Sequence, residues 1–210
     1  MKYSNYLFDL DGTLTDPGVG IKNSIRYALT KRGLPPLEEK ELDAFIGPPL
    51  LDSFEKYCHV SREESKELLT AYREYFSVKG LFENQVYDGI PKTLERLRAM
   101  GASLFVATSK PEPFARQILE HFDLARYFDF IGGSTMDETR TDKADVIAYV
   151  LDQTGVDPRA SVMVGDRVYD IRGGHACGLS AIGVLYGYGS REELSDADWL
   201  IADPWQMTEL

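Results

Sequence analysis

Two aspartates separated by a single leucine follow an apolar run near the N-terminus, in Tyr6-Leu7-Phe8-Asp9-Leu10-Asp11-Gly12-Thr13-Leu14. Side chains alternate faces along a strand, so Asp9 and Asp11 are expected to project together from a strand end with Leu10 turned to the core. Two like charges that close repel by about 4 kcal/mol at ~4 Å and an effective dielectric near ~20. A fold tolerates such a pair when a hard cation lies between them or one carboxyl keeps its proton, and either condition marks a reaction site. Gly12 lets the chain turn sharply and a ligand approach the backbone. The competing reading of Asp-Gly is a turn that closes an exposed hairpin.

Other polar groups stand at the ends of apolar runs. Thr108-Ser109-Lys110 closes the strand pattern that begins at Ser103, and Gly165-Asp166 closes Ser161-Val162-Met163-Val164. Asp170 follows four residues after Asp166, near a helix start, where an acid favours the helix dipole. Lys143 opens a helical pattern after a polar loop, residues 137–142, that contains Arg140. Arg140 and Lys110 compete with Lys143 for the role of the site's cation. Three strand ends thus offer carboxylates and a hydroxyl with a lysine nearby, a coincidence that a hairpin turn at Asp9–Asp11 does not explain. His59, His121 and His175 are isolated and form no ligand pair.

The elements that must position these groups fall into two kinds. After the first strand, Ile21, Ile25, Ala28 and Leu29 recur at helical spacing until Gly33 and Pro35-Pro36. A short helix over 37–45, a rigid Gly47-Pro48-Pro49 break, and a helical face at Leu50, Leu51, Phe54 and Tyr57 follow. Ser61 with Glu64 has the capping-box pattern ahead of Leu68, Leu69, Tyr72, Tyr75 and Phe76. About 70 residues of helical pattern separate the first strand from the next, against ordinary connections of about 2–6 residues. From Tyr87 onward strands and helices alternate, which implies a mostly parallel sheet with helices on both faces. The expected fold is therefore α/β, a Rossmann-like doubly wound core (residues 1–15 and 86–210) with an inserted small α-helical cap (residues 16–85). Ligands of such sheets bind at the carboxyl ends of the strands. Pro17, Gly18 and Gly20 at one junction and Asp88-Gly89 at the other read as hinge chemistry for a cap that opens and closes.

The 210 residues are 43% hydrophobic, normal for a soluble domain with a substantial core. A net charge of −11 argues against binding a nucleic-acid polymer or an anionic membrane, both of which need basic patches. It leaves room for a small phosphorylated metabolite held by a cation and a few local basic groups. Cys58 and Cys177 make no metal-ligand pair. With a strand pattern starting at the N-terminus and no long apolar run, the chain reads as a reduced cytoplasmic protein. Monomer and homodimer are equally compatible with it.

In these residues the chain resembles the haloacid dehalogenase-like superfamily in its phosphohydrolase branch. The likeness rests on Phe8-Asp9-Leu10-Asp11-Gly12-Thr13-Leu14, Val106-Ala107-Thr108-Ser109-Lys110, Lys143 and Gly165-Asp166-Arg167-Val168-Tyr169-Asp170, in that family's order and spacing. Gly133-Ser134 with Arg140 and Lys143, and the run 183–189, resemble its phosphoglycolate phosphatase and nucleotidase-like subgroup.

The resemblance implies a magnesium-dependent phosphatase. Asp9 is then the nucleophile that forms an aspartyl-phosphate, and Asp11 the acid that protonates the leaving oxygen and later activates water. Magnesium is implied on the Asp9 carboxylate, the Asp11 carbonyl and Asp166, with Asp170 helping. Thr108 and Lys143 are implied as phosphoryl and charge partners, with the amides of Leu10 and Ser109 and the side chain of Arg140 on the substrate. Gly47-Pro48-Pro49 and Tyr186-Gly187-Tyr188 are expected to select the leaving group, with Gly47 and Tyr188 at the substrate. A dehalogenase is disfavoured because that branch lacks the second aspartate. A sugar phosphomutase shares the core chemistry, and a phosphate-binding protein without turnover is the non-catalytic alternative.

Overall fold

The first strand, β1 (Asn5–Phe8), is buried along its whole length because it pairs on both sides. The computed structural model describes residues 2–210. A two-residue strand, β2 (Thr15–Asp16), leads into four helices: α1 (Gly18–Arg32), α2 (Glu39–Asp43), α3 (Leu50–Cys58) and α4 (Arg62–Tyr75). A second short strand, β3 (Gln85–Val86), pairs with β2. There follow α5 (Ile90–Ala99), β4 (Ser103–Pro111), α6 (Glu112–His121), β5 (Phe130–Ser134) and α7 (Lys143–Thr154). The chain ends with β6 (Ser161–Gly165), α8 (Val168–Ala176), β7 (Ser180–Val184) and β8 (Trp199–Ile201). It divides into two compact units, residues through Thr15 with Val86–Leu210, and Asp16–Gln85.

In the larger unit six strands run in the order β5-β4-β1-β6-β7-β8, and every pair is parallel. Phe8 stands opposite Val106 of β4 and Val164 of β6. From β1 the chain moves outward to β4 and β5, then crosses back to β6 and outward again to β7 and β8. The order therefore reverses at β1 and β6, and a crevice opens beyond their carboxyl ends. Helix α7 lies on this sheet. Its Val146, Ile147 and Val150 pack with Leu7, Phe105, Ala107 and Met163 in one buried cluster. Each such side chain contributes about 1.5–3 kcal/mol by leaving water, and the cluster fixes the end of α7 that carries Lys143. Asp142 caps that end by accepting the amide of Ala144 at 2.8 Å.

Strand β4 runs three residues beyond the expected Thr108 end. Thr108 pairs with Gly133 of β5, but the next pair is Pro111 with Ser134, so Ser109 and Lys110 form a bulge. Bulges re-aim side chains near sheet ends, which matters below for Lys110.

The smaller unit is helical, as its spacing predicts. Gly33 ends α1 in a left-handed conformation, and the Ser61–Glu64 capping box starts α4. Two details differ. The last turn after Tyr75 is a π-helical turn, Phe76–Gly80, and Gly20 lies inside α1 instead of at a hinge. A methyl group on Gly20 would fall 2.0 Å from the Gly80 carbonyl oxygen, so α1 and the π turn approach closely only because Gly20 has no side chain. Ion pairs tie α1 to its neighbours, among them Lys22 with Asp43 (2.5 Å), Arg26 with Glu39, and Lys31 with Glu74. Lying at the surface, they add little to stability. No described helix is long and apolar enough to cross a membrane.

Candidate active site

Asp9 is the first residue past β1, and its amide still donates to Val164 of β6 at 2.9 Å. Asp166 is the first residue past β6, so the two carboxylates flank the point where strand order reverses. Asp170 sits in the first turn of α8, and its Oδ2 accepts the amide of Arg167 at 3.0 Å. These three buried acids bring carboxylate oxygens within 4.8 Å of one another.

One ammonium serves two of them. Lys143 Nζ lies 2.8 Å from Asp9 Oδ1 and 2.8 Å from Asp170 Oδ1, and donates to the Ala107 carbonyl at 3.2 Å. Burial works to lower the Lys143 pKa, but the Asp170 and Asp9 carboxylates outweigh it and hold the amine protonated. Asp170 Oδ1 keeps this charge partner without a directed hydrogen bond.

The charge balance favours one more cation. Burial pushes the Asp170 pKa up to about 6, with Lys143 opposing and Asp9 adding to the rise. Asp166 is raised well above the carboxylate range, first by burial and then by Asp170 and Asp9. Three clustered acids with a single adjacent amine, all oxygen donors, fit a hard divalent ion such as magnesium, which favours carboxylate oxygens and retained waters.

Asp166 is held from several sides. Its Oδ1 accepts the Thr13 hydroxyl at 3.3 Å, and its Oδ2 accepts the Tyr188 amide at 2.8 Å. The Tyr186 hydroxyl donates to the Thr13 carbonyl at 3.1 Å, so the 186–188 turn is tied to the loop after β1. Gly12, at φ 86°, fits because Asp166 leaves it no room for a side chain.

Asp9 and Asp11 pair with different lysines, Lys143 and Lys110. The strand register ends at Phe8 while the Asp9 amide still reaches β6, and Leu10 is buried as expected. The Asp11 carboxylate lies outside the acidic triad. Its Oδ2 is 2.5 Å from Lys110 Nζ. Its pKa is raised by burial despite the opposing pull of Lys110. As a candidate metal ligand Asp11 is thus confined to its main-chain carbonyl.

The remaining candidates spread out. Thr108 is buried at the end of the paired part of β4, where its hydroxyl oxygen accepts the Lys110 amide at 3.2 Å, and Ser109 beside it is half-buried. Arg140 makes no hydrogen bond to the acidic cluster. Its guanidinium donates to the Gly133 carbonyl (3.1 and 3.0 Å) and lies 3.6 Å from the centroid of the Tyr149 ring. It lines a cavity of ≈ 490 Å³ with Glu112, Ser134 and Thr135, whose walls include none of the cluster's carboxylates. Gly47 belongs to the helical unit, at φ 105° in the turn before α3. Sequence reasoning passed over Thr13 as a part of the site, weighed Lys110 only as a rival of Lys143, and gave Tyr186 only to leaving-group selection. A hydroxyl directly after the Asp-Gly turn was the only signal for Thr13.

A profile described as haloacid dehalogenase-like hydrolase matches residues 6–184. The chain belongs to that family. It is 46% identical over 194 residues to the 5′-nucleotidase of Pseudomonas aeruginosa, covering 92% of this chain and 88% of that protein. It is 42% identical over 183 residues to the tyrosine-protein kinase PtkA of Mycobacterium tuberculosis, covering 87% of this chain and 62% of that longer protein. At 31% identity over 193 residues it is also similar to a phosphoglycolate phosphatase of Yersinia pseudotuberculosis, over 90% of this chain and 83% of that one. Its fold overlays the crystal structure of a predicted phosphatase from Clostridium acetobutylicum with a TM-score of 0.95 at 43% identity, over 100% and 98% of the two chains. The family and the phosphatase-named relatives make this chain a haloacid dehalogenase-like hydrolase of the phosphatase branch, with that family's parallel-sheet fold.

Proposed function

We propose that this family member is a magnesium-dependent phosphatase that hydrolyses a small phosphate monoester, nucleoside monophosphate-like or phosphoglycolate-like, through a phosphoryl group carried on Asp9. The observation that supports this most is Lys143, buried between Asp9 and Asp170 at 2.8 Å from each, beside a triad of acids. A carboxylate held by a fixed ammonium stays aimed, as a nucleophile must.

In this reading Asp9, Asp166 and the Asp11 carbonyl hold magnesium, with Asp170 assisting. Bound there, magnesium would supply positive charge against the phosphoryl oxygens. Asp9 attacks phosphorus while the bond to the ester oxygen breaks. The Asp11 carboxyl gives its proton to that oxygen, and the alcohol leaves. Asp11, now a carboxylate, takes a proton from water as the water oxygen attacks phosphorus. The Asp9–phosphorus bond breaks, orthophosphate leaves, and Asp11 is again the acid. Thr108, the Leu10 and Ser109 amides and Lys143 bind the phosphoryl oxygens, as preorganised donors that stabilise developing charge. Gly47 and Tyr188 belong to leaving-group recognition in this reading.

A panel of phosphate esters tests it. Magnesium should be required for phosphate release, and EDTA should abolish it. A panel on which wild-type protein releases no phosphate would overturn the reading. A second reading, transfer from Asp9 to an acceptor hydroxyl other than water, draws on the likeness to a protein named a kinase and on the shared chemistry of sugar phosphomutases. A phosphorylated acceptor in place of orthophosphate is its signature.

A further inference from the structure

The site holds two buried lysines, and the function above uses one. Lys110 Nζ lies 2.5 Å from Asp11 Oδ2, and both side chains are largely shielded from solvent. The β4 bulge at Ser109–Lys110 brings the lysine there, and its backbone amide is anchored to Thr108 Oγ1 at 3.2 Å. The other Asp11 oxygen, Oδ1, is buried and makes no hydrogen bond. The two oxygens of one carboxyl are thus in different states, one held by Lys110 and one buried without a hydrogen-bond partner.

We propose that Lys110 is a positioning residue for proton transfer: it grips Asp11 by Oδ2 and so presents Oδ1 as the oxygen that exchanges protons with the ester and with water. The inference rests on the proposed phosphatase reading. A carboxyl held at one oxygen has a fixed plane, and fixing a catalytic group removes entropy that the reaction step would otherwise cost. In the first half-reaction the proton leaves Oδ1 for the ester oxygen. In the second, Oδ1 receives the proton of the attacking water. Lys110 keeps its own protons throughout and touches no reacting atom. A charge at this place that merely balanced Asp11 would not need to leave one oxygen unpartnered.

Leaving-group dependence tests this. An alkyl phosphate ester leaves as a poor anion and needs a proton, whereas p-nitrophenyl phosphate leaves without one. Turnover is compared for wild type, Lys110→Met, Lys110→Arg, Asp11→Asn and the Lys110→Met/Asp11→Asn double variant. The substrates are p-nitrophenyl phosphate and the fastest alkyl ester of adenosine 5′-monophosphate and 2-phosphoglycolate. Since general acid–base catalysis contributes about 10²–10⁴-fold, Lys110→Met is expected to lose kcat on the alkyl ester at least about 10-fold more than on the aryl ester. Asp11→Asn should show the same selectivity, the double variant should lose little beyond Asp11→Asn alone, and Lys110→Arg should recover most of the selective loss. Equal losses on both esters, or independent multiplying losses in the double variant, would overturn the inference while leaving the phosphatase reading intact. So would wild-type turnover of the aryl ester alone, which removes the need for a held acid. Lys110→Gln repeats the test if the Met variant unfolds, and unfolding of both would make the pair a structural one and also overturn it. Wild-type protein inactive on all three esters overturns the phosphatase reading itself, and the inference with it.

Discussion

Gly12 stands so close to Asp166 that a methyl group on it would fall 2.2 Å from Asp166 Oδ2. The loop after β1 and the loop after β6 therefore meet through a position that only glycine fills. Gly12→Ala must displace the Asp166 carboxylate and also adopt a left-handed backbone, a strain of about 1–3 kcal/mol. We expect the variant to fold with a lower melting temperature and to need more magnesium for half-maximal turnover. A magnesium titration of its activity checks this, and an unchanged half-maximal concentration would contradict it.

Lys143→Met should hurt stability and turnover together. It leaves the Asp9 and Asp170 carboxylates facing each other without the ammonium that now lies 2.8 Å from each. Removing one member of a buried ion pair costs about 3–5 kcal/mol. Urea unfolding of the metal-free protein should show a loss in that range. Added magnesium should recover part of it, because a second cation then faces the same acids. A loss below about 1 kcal/mol, the level of an exposed pair, would mean that the lysine is not the cluster's main counter-charge.

Tyr6 provides a pH test away from the chemistry. Its ring is fully buried beside Tyr3 and Phe8, and its hydroxyl makes no hydrogen bond. Burial, with Tyr3 adding, pushes its pKa from 10.0 up to about 12. A raised phenol pKa means the folded state holds the proton more tightly than the unfolded chain. Its contribution is complete below pH 10 and is lost as pH rises toward 12, by about 1.4 kcal/mol per pH unit in between. Tyr6→Phe should flatten the alkaline side of the stability profile. At neutral pH it should be neutral or stabilising, since it removes an unsatisfied polar group that costs about 1–3 kcal/mol. Alkaline urea titrations of both proteins decide this, and parallel curves from pH 9 to 12 would contradict it.

The strand ends were readable because a parallel core leaves strong local marks: short apolar runs such as Ser161–Val164, each broken by a polar residue. That placed Asp9, Asp166 and Thr108 at one edge of the sheet, and the helical pattern after residue 142 placed Lys143. What escaped depends on partners distant in sequence. The bulge that aims Lys110 exists only in register with β5, and the lysines that Asp9 and Asp11 hold come from α7 and from that bulge. Arg140 looked like a site residue by its place in the chain, yet its guanidinium goes to Gly133 and Tyr149. Gly20 looked like a hinge, and the close approach of Gly80 assigns it to packing.

Every step of the proposed mechanism depends on Asp9 supplying the oxygen that attacks phosphorus. Protein mixed with magnesium and a turned-over phosphate ester, quenched in acid during turnover and analysed by peptide mass spectrometry, should carry a phosphoryl group on Asp9. The Asp9→Asn variant should carry none and release no orthophosphate. Orthophosphate release by Asp9→Asn at the wild-type rate, or a phosphoryl group on another residue with Asp9 unmodified, would contradict it.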